Sequence, residues 1–144
     1  MENYKNIEEL GKDLEKAFYF ERDYELVNSL KISMNLDEKW KNLILTLSLE
    51  SGEHKDIIKE IIGGFNELKI PEDSTKFKFF TFQLENLNNE EIHKKLISIE
   101  ENMEMLYNKI YESTPEKLIK DHFKYPIKIF YWTIKSLGMA ERMH

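Results

Sequence analysis

Apolar residues recur every three or four positions along most of the chain, which is the spacing of helices that bury one face. In the first half this pattern predicts helices over about residues 6–32 and 36–63. The two predicted faces consist of Ile7, Leu10, Leu14, Ala17, Tyr24 and Val27, and of Trp40, Leu43, Leu47, Ile57 and Ile61. Asn35 supplies an N-cap for the second helix, and Gly63 marks its end.

The second half carries the same pattern, which predicts helices over about residues 89–112 and 115–137. The first of these faces consists of Ile92, Leu96, Ile99, Met103, Leu106 and Ile110, and the second of Leu118, Ile129 and Trp132. The stretch Ser113-Thr-Pro-Glu combines a capping hydroxyl, a proline in the first turn and an acid three residues after the serine, so it favours a helix start. Pro126 is expected to kink the last helix.

Between the two halves, a short helix is predicted over about residues 75–87. Its helical spacing is carried by Phe77, Phe80, Leu84 and Leu87. Phe79 and Phe82 also alternate with polar neighbours, so a strand is the competing interpretation. A helix is favoured because an isolated strand would leave its backbone without hydrogen-bond partners.

The lengths of the connections predict how the helices are arranged. Short links join the first helix to the second and the third to the fourth, so each pair should form an antiparallel hairpin. About 25 residues separate the two hairpins, enough to travel the length of a bundle. We therefore expect a single all-α domain over residues 1–144, with the ferritin-like arrangement of two hairpins and a long crossover that carries a short helix.

Composition supports the all-α class and excludes some partners. Charged residues make up 33% of the chain, and only five Gly and three Pro interrupt it, which favours long solvated helices. The net charge is −6, and acidic and basic residues are interleaved without a basic run, so we expect no binding to nucleic acid. The chain has no Cys, which excludes disulfides and thiolate ligands.

Neither a signal peptide nor a membrane span is predicted. The N-terminus lacks the basic start and apolar run of a secretory signal. No apolar stretch approaches the roughly 18 residues that a membrane span needs. We therefore expect a cytoplasmic protein that does not enter a membrane.

Polar residues interrupt the apolar faces at several positions. Glu21 follows Ala17 by one turn, and the second face passes through Glu50 and His54. Glu21 could point inward, or lie at the margin of the face and reach water. Glu50 and His54 are four residues apart, so they could bind a metal ion or form an intrahelical hydrogen-bonded pair.

Inward carboxylates and imidazoles are the groups from which helical bundles build metal sites. Counting residues from the predicted turns places Glu21 and Glu50 at nearly the same height, so they could face each other. In the second hairpin, Glu104 matches the height of the inward groups on the last helix better than Glu100 does. The candidate metal ligands are Glu50, His54, Glu100, Glu104, Glu21, Asp121 and His122. In the alternative without a metal site, Glu104 belongs to a solvated face and His122 is an ordinary half-buried residue.

Two segments resemble rubrerythrin-like proteins of the ferritin superfamily. Ile97-Ser-Ile-Glu-Glu-Asn-Met-Glu-Met-Leu-Tyr107 is similar to their third helix, in which a ligand Glu precedes a Tyr by two turns, and Leu49-Glu-Ser-Gly-Glu-His54 is similar to their second-helix ligand segment. The resemblance implies that Glu100 and His54 bind metal, with Glu50 nearby. Where the family's Glu-x-x-His motif has its Glu, this chain has Ser51. Tyr125 stands at the position of the corresponding His on the last helix, and Ala17 occupies the ligand position on the first.

The resemblance implies a non-standard carboxylate and histidine site for Fe, Mn or Zn, with oxidative or metal-handling chemistry. The alternative is a metal-free dimerisation or protein-interaction module without catalysis. Aromatic residues at helical spacing are expected in the core or in a homodimer interface. Phosphate-binding loops, zinc-protease motifs and nucleophile elbows are absent, so the sequence indicates no other catalytic scheme.

Overall fold

Three long helices and one short helix make up the part of the chain that the structure describes. This computed structural model describes residues 6–27, 38–72, 78, 88–114 and 116–123. The helices are α1 (Ile7–Val27), α2 (Glu38–Gly63), α3 (Asn89–Ser113) and α4 (Lys117–His122). No strand occurs in these ranges, in agreement with the all-α prediction. None of the described helices is long and apolar enough to cross a membrane.

The described helices lie where the sequence pattern placed them. α2 and α3 begin and end within two residues of the predicted ranges 36–63 and 89–112. α1 is described as far as Val27, and residues 28–32 of its predicted range lie outside the described residues. α4 ends at His122 and Phe123 follows it in a turn, so the predicted helix over 115–137 is interrupted there, and residues 124–137 lie outside the described residues. The predicted helix over 75–87 lies there too, apart from Lys78, so the choice between helix and strand stays a prediction.

Asparagine side chains fix two of the helix starts. Asn6 accepts a hydrogen bond from the backbone of Glu9 at 2.9 Å, which satisfies an amide in the first turn of α1. Asn88 and Glu91 form a complete capping box at the start of α3. Before α4, the hydroxyl of Thr114 accepts from the backbone of Glu116 at 3.3 Å, but the N-cap of α4 is Glu116 itself, which makes no side-chain cap hydrogen bond. The prediction of Ser113 as the capping residue is wrong, because Ser113 is the last residue of α3.

α1 runs antiparallel to α2. Tyr24 accepts a hydrogen bond from Ser48 through its backbone carbonyl, and Glu21 pairs with His54, one to two turns further along α2. Residues nearer the C-terminal end of α2 therefore contact residues nearer the N-terminal end of α1. The core between the helices consists of Leu14, Ala17, Phe18, Ile44, Leu47, Ile58, Leu96, Met103 and Ile110, among others.

α1 also runs antiparallel to α3. The Tyr24 hydroxyl donates to the backbone carbonyl of Leu96, and Lys109 pairs with Asp13 near the other end of α1. Because α1 opposes both α2 and α3, the latter two run in the same direction. The link between them must therefore return along the length of the helices.

The described parts of this link follow α1. Leu68 packs on Gly11, the Tyr19 hydroxyl donates to the carbonyl of Glu72, and the backbone amide of Lys78 donates to the Asp23 carboxylate. These contacts advance along α1 in the same order as along the link. The described residues of the link thus contact α1 from near its start, at Leu68, to near its end, at Lys78.

The buried face of α2 differs from the predicted one. Its buried positions are Ile44, Leu47, Ser48, Ser51, Lys55, Ile58 and Ile62. The predicted Leu43 and Ile61 are half-buried, and Ile57 is exposed. Compared with the predicted face, the observed buried face is rotated about the helix axis by about one residue. It includes two serines and a lysine, which a hydrophobic pattern does not mark as buried. The Ser48 hydroxyl donates to the backbone carbonyl of Tyr24 at 3.0 Å, and Lys55 Nζ donates to Glu25 Oε1 at 2.9 Å.

Candidate functional site

A buried carboxylate, Glu21, lies where α1, α2 and α3 meet. Its side chain is 0% exposed. The Tyr107 hydroxyl on α3 donates to Glu21 Oε1 at 2.6 Å, a short bond typical of a hydroxyl on a charged acceptor. His54 on α2 places Nδ1 3.5 Å from Glu21 Oε2. Glu21 therefore points inward, and the alternative that it reaches water at the margin of the face is wrong.

A second buried carboxylate, Glu100, lies close to the first. It is 0% exposed, and neither of its oxygens has a hydrogen-bond partner in bonding geometry. Burial raises its pKa to about 8, the Tyr24 hydroxyl opposes this rise, and the charges of Glu21 and Glu104 add to it. Without a cation nearby, the folded protein therefore holds Glu100 mostly protonated at neutral pH.

The two carboxylates and two tyrosines form a reciprocal arrangement between α1 and α3. Tyr107 on α3 donates to Glu21 on α1, and Tyr24 on α1 faces Glu100 on α3. Burial raises the pKa of both phenols well above the ordinary value, and the neighbouring carboxylates raise it further. Both tyrosines therefore stay protonated; Tyr107 donates its proton to Glu21, whereas Tyr24 donates to the backbone carbonyl of Leu96.

Two histidines complete the cluster. The rings of His54 and His122 lie edge to face with centroids 5.9 Å apart. Burial lowers the pKa of His54, but the hydrogen bond and charge of Glu21 outweigh it and the net pKa is raised; Glu50 and Glu53 contribute to the rise. Burial and then the charge of His54 lower the pKa of His122 to about 4, so His122 is neutral at pH 7. A neutral imidazole is the form that binds metal ions.

Several buried polar atoms of this cluster lack hydrogen-bond partners. They are both carboxylate oxygens of Glu100, His122 Nε2 and Ser51 Oγ, while Glu21 Oε2 has the 3.5 Å contact with His54 Nδ1. Buried polar atoms are nearly always satisfied, because an unsatisfied one costs about 1–3 kcal/mol. Unpaired oxygens and a neutral imidazole nitrogen in one place suit a cation or polar ligand that binds among them.

The other predicted ligands lie around this cluster or away from it. Glu50 and Glu104 are half-buried, and their charges act on His54 and Glu100. Glu50 was expected to face Glu21, but His54, one turn further along α2, takes that place. Asp121 is exposed, so of the two adjacent candidates on α4 it is His122 that the structure brings to the cluster.

The sequence interpretation missed the role of the tyrosines. The spacing of seven residues between Glu100 and Tyr107 was visible, but Tyr107 donates to the carboxylate of α1 and not to the one in its own helix. Ser51, which stands where the rubrerythrin-like motif has its Glu, is 1% exposed, so a small hydroxyl is buried at that position.

Two surface cavities lie elsewhere, beside Tyr19. One has a volume of about 210 Å³ and is bounded by α1 and the link, and the other has a volume of about 400 Å³. No residue of the buried cluster lines either of them. Their walls mix lysines with acidic residues, so they offer no field of one sign for a charged ligand.

Among the described residues, no three Asp, Glu or His side chains are already arranged as a metal coordination shell. Glu21 and His54 form one close pair, and Glu100 and His122 lie nearby. Comparison of the chain with protein-family models, with curated proteins and with solved structures found no match. The chemistry of the buried cluster is therefore the basis for assigning a function.

Proposed function

We propose that this chain is a ferritin-like bundle protein whose buried cluster binds a transition-metal ion for oxidative or metal-handling chemistry. Glu21, His54, Glu100 and His122 are the proposed ligands. The observation that carries the proposal is Glu100, a fully buried carboxylate with two unpaired oxygens beside the Glu21 and His54 pair. A buried carboxylate without hydrogen-bond partners is stabilised more by a neighbouring cation than a solvated carboxylate is.

The residue types and spacing fit a metal. Carboxylate and imidazole ligands lie about 2.0–2.2 Å from zinc, so two of them on one tetrahedral ion are about 3.4 Å apart. Glu21 Oε2 and His54 Nδ1 are separated by 3.5 Å. This mixture of oxygen and nitrogen donors suits Fe, Mn or Zn and does not suit a cation that requires oxygen alone.

The remaining residues of the cluster would position the ligands. Tyr107 holds Glu21 through Oε1, which leaves Oε2 directed to His54. Tyr24 lies near Glu100, although its hydroxyl donates to the backbone carbonyl of Leu96. Such outer hydrogen bonds fix ligand orientation and tune the bound ion. A bound ion would supply Lewis-acid or redox chemistry, and the buried surroundings would limit the access of water to it.

The direction of the helices supports a ferritin-like bundle. α2 and α3 run in the same direction, and the link between them follows α1, as a long crossover requires. α4 would complete the bundle, and its described part brings His122 to the cluster. The sequence segments around Glu100 and His54 that resemble rubrerythrin-like proteins both contribute to this cluster. A homodimer and a cytoplasmic location remain parts of the proposal.

Elemental analysis tests the proposed metal site. The protein, purified without a histidine tag, should contain close to stoichiometric Fe, Mn or Zn after aerobic purification or anaerobic loading. His54→Ala should lose most of this metal, because it removes one of the two ligands already at ligating distance. Less than a tenth of an equivalent in both proteins would contradict the proposal. Far-ultraviolet circular dichroism should show that the variant keeps its helices.

A second candidate function is a metal-free interaction module. Its support is an exposed apolar pair on α2, Leu49 and Ile57, whose side chains are 63% and 43% exposed and lie two turns apart on one face. A homodimer through this face should dissociate in the double variant Leu49→Lys and Ile57→Lys, measured by sedimentation equilibrium. A wild-type monomer at all concentrations, or a dimer that survives both changes, would exclude this face.

A further inference from the structure

The number of donor atoms in the cluster limits how many metal ions it can hold. Tyr107 donates to Glu21 Oε1, and that oxygen keeps a second lone pair. The other donors are Glu21 Oε2, His54 Nδ1, His122 Nε2 and the two oxygens of Glu100. Four side chains supply a complete set of ligands for one four-coordinate ion. Shared between two ions through bridging carboxylates, they would give each ion at most three protein ligands.

The charge of the buried carboxylates also favours one metal ion over two. Glu21 and Glu100 are both 0% exposed, and together they neutralise one divalent cation. A second divalent cation would leave two positive charges unbalanced in a dry interior, which is strongly unfavourable. Glu50 and Glu104 are half-buried, so water already compensates part of their charge.

The buried positions one turn from the proposed ligands offer no further ligands of the required type. Ala17 precedes Glu21 by four residues, Ser51 precedes His54 by three, and Met103 follows Glu100 by three. All three are at most 1% exposed, so they face the interior, where ligands of a second ion would be needed. Their side chains carry neither a carboxylate nor an imidazole.

We infer that the cluster is a mononuclear site, in which Glu21, His54, Glu100 and His122 bind one divalent transition-metal ion. The inference rests on the proposed function and goes further, because the paired carboxylates of a ferritin-like bundle suggest two ions. Two histidines and two carboxylates on one ion leave room for water or a small ligand if the ion accepts more than four donors.

Cobalt titration tests the inference. The metal-depleted full-length protein is titrated with Co²⁺, bound Co²⁺ is followed by its visible absorption, and the number of equivalents per chain is checked by elemental analysis after gel filtration. The absorption should stop rising at one equivalent. Glu100→Gln and His54→Ala should each weaken binding at least about tenfold, since each removes a ligand. The matched control Glu101→Gln changes the exposed acid next to Glu100 and should bind like the wild type.

The outcomes separate the inference from the proposed function. Two equivalents that are both lost in His54→Ala would overturn the mononuclear site and leave the metal-binding function in place. No binding to the wild type would overturn both. One equivalent that is unaffected by Glu100→Gln and His54→Ala would place the ion elsewhere and also overturn both. Circular dichroism of each variant excludes unfolding as the cause of a loss.

Discussion

Glu100 is a buried acid whose protonation is linked to the stability of the fold. Its pKa is about 8 in the folded protein, against an ordinary value near 4.5. Between these two values the folded chain keeps a proton that the unfolded chain releases, so the free energy of unfolding falls as pH rises. His122 has the opposite effect below its ordinary pKa of 6.5, because its pKa is lowered on folding.

The metal-free protein should therefore lose stability between about pH 6.5 and 8 because of Glu100. The slope from this one group can approach about 1.4 kcal/mol per pH unit. Glu100→Gln removes the titration, so its free energy of unfolding should depend less on pH in this window. Urea unfolding in the presence of a chelator, at several pH values, measures the difference. Equal slopes in the wild type and the variant would show that Glu100 is not held protonated.

At the residue scale, the sequence predicted the types of residue in the cluster better than their partners. Glu21, Glu100, His54 and His122 were all candidates, and all four lie in it. The pairing of Glu21 with His54, where Glu50 was expected, depends on the rotation of α2 by about one residue. Lys55 is buried beside Glu25 of α1, a contact that a hydrophobic pattern within α2 cannot reveal.

At the element scale, α3 depends on the capping box at its start. Asn88 accepts from the backbone of Glu91 at 2.9 Å, and the side chain of Glu91 accepts from the backbone of Asn88 at 3.4 Å. Asn88→Ala should lower the free energy of unfolding by about 1 kcal/mol, because amides of the first turn lose their acceptor. The matched control is Asn102→Ala, at an exposed position in the middle of the same helix.

Urea unfolding of both variants measures this effect. The control should be neutral or slightly stabilising, since alanine has the higher helix propensity. Equal stability of the two variants would indicate that the cap contributes nothing. The sequence predicted the range of α3 within one residue, because its helical spacing is regular and few turn residues interrupt it. It predicted Ser113 as the cap of α4, but Ser113 is the last residue of α3, and the N-cap Glu116 makes no side-chain cap hydrogen bond.

At the scale of the whole molecule, Asp23 ties the link to α1. It is 0% exposed, and both of its oxygens accept from the backbone amide of Lys78 at 2.9 Å. It also lies 3.8 Å from the buried guanidinium of Arg22. Asp23→Ala should lower the free energy of unfolding by about 3 kcal/mol or more, because it leaves a buried cation without this counter-charge.

Asp56→Ala is the matched control, because Asp56 is an exposed acid on α2. Its free energy of unfolding should stay within about 0.5 kcal/mol of the wild type. A loss below about 1 kcal/mol in Asp23→Ala would show that the link does not depend on this contact. The length of the link predicts a crossover, and that crossover stays a prediction; nothing in the sequence predicted this anchor. Buried Arg22 and Asp23 follow Glu21 directly, whereas a helix with one buried face would expose them.

The antiparallel contact between α1 and α3 also has a consequence for biosynthesis. Tyr107 leaves the ribosome 86 residues after the carboxylate that it binds, Glu21. At about 5–20 residues per second, that carboxylate stays hydrated for roughly 4–17 seconds before its partner exists. In the nascent chain, the face of α1 that later packs against α3 therefore exposes this polar group to water. The arrival of the C-terminal half is the step that expels this water, so a chain truncated before α3 should remain hydrated there.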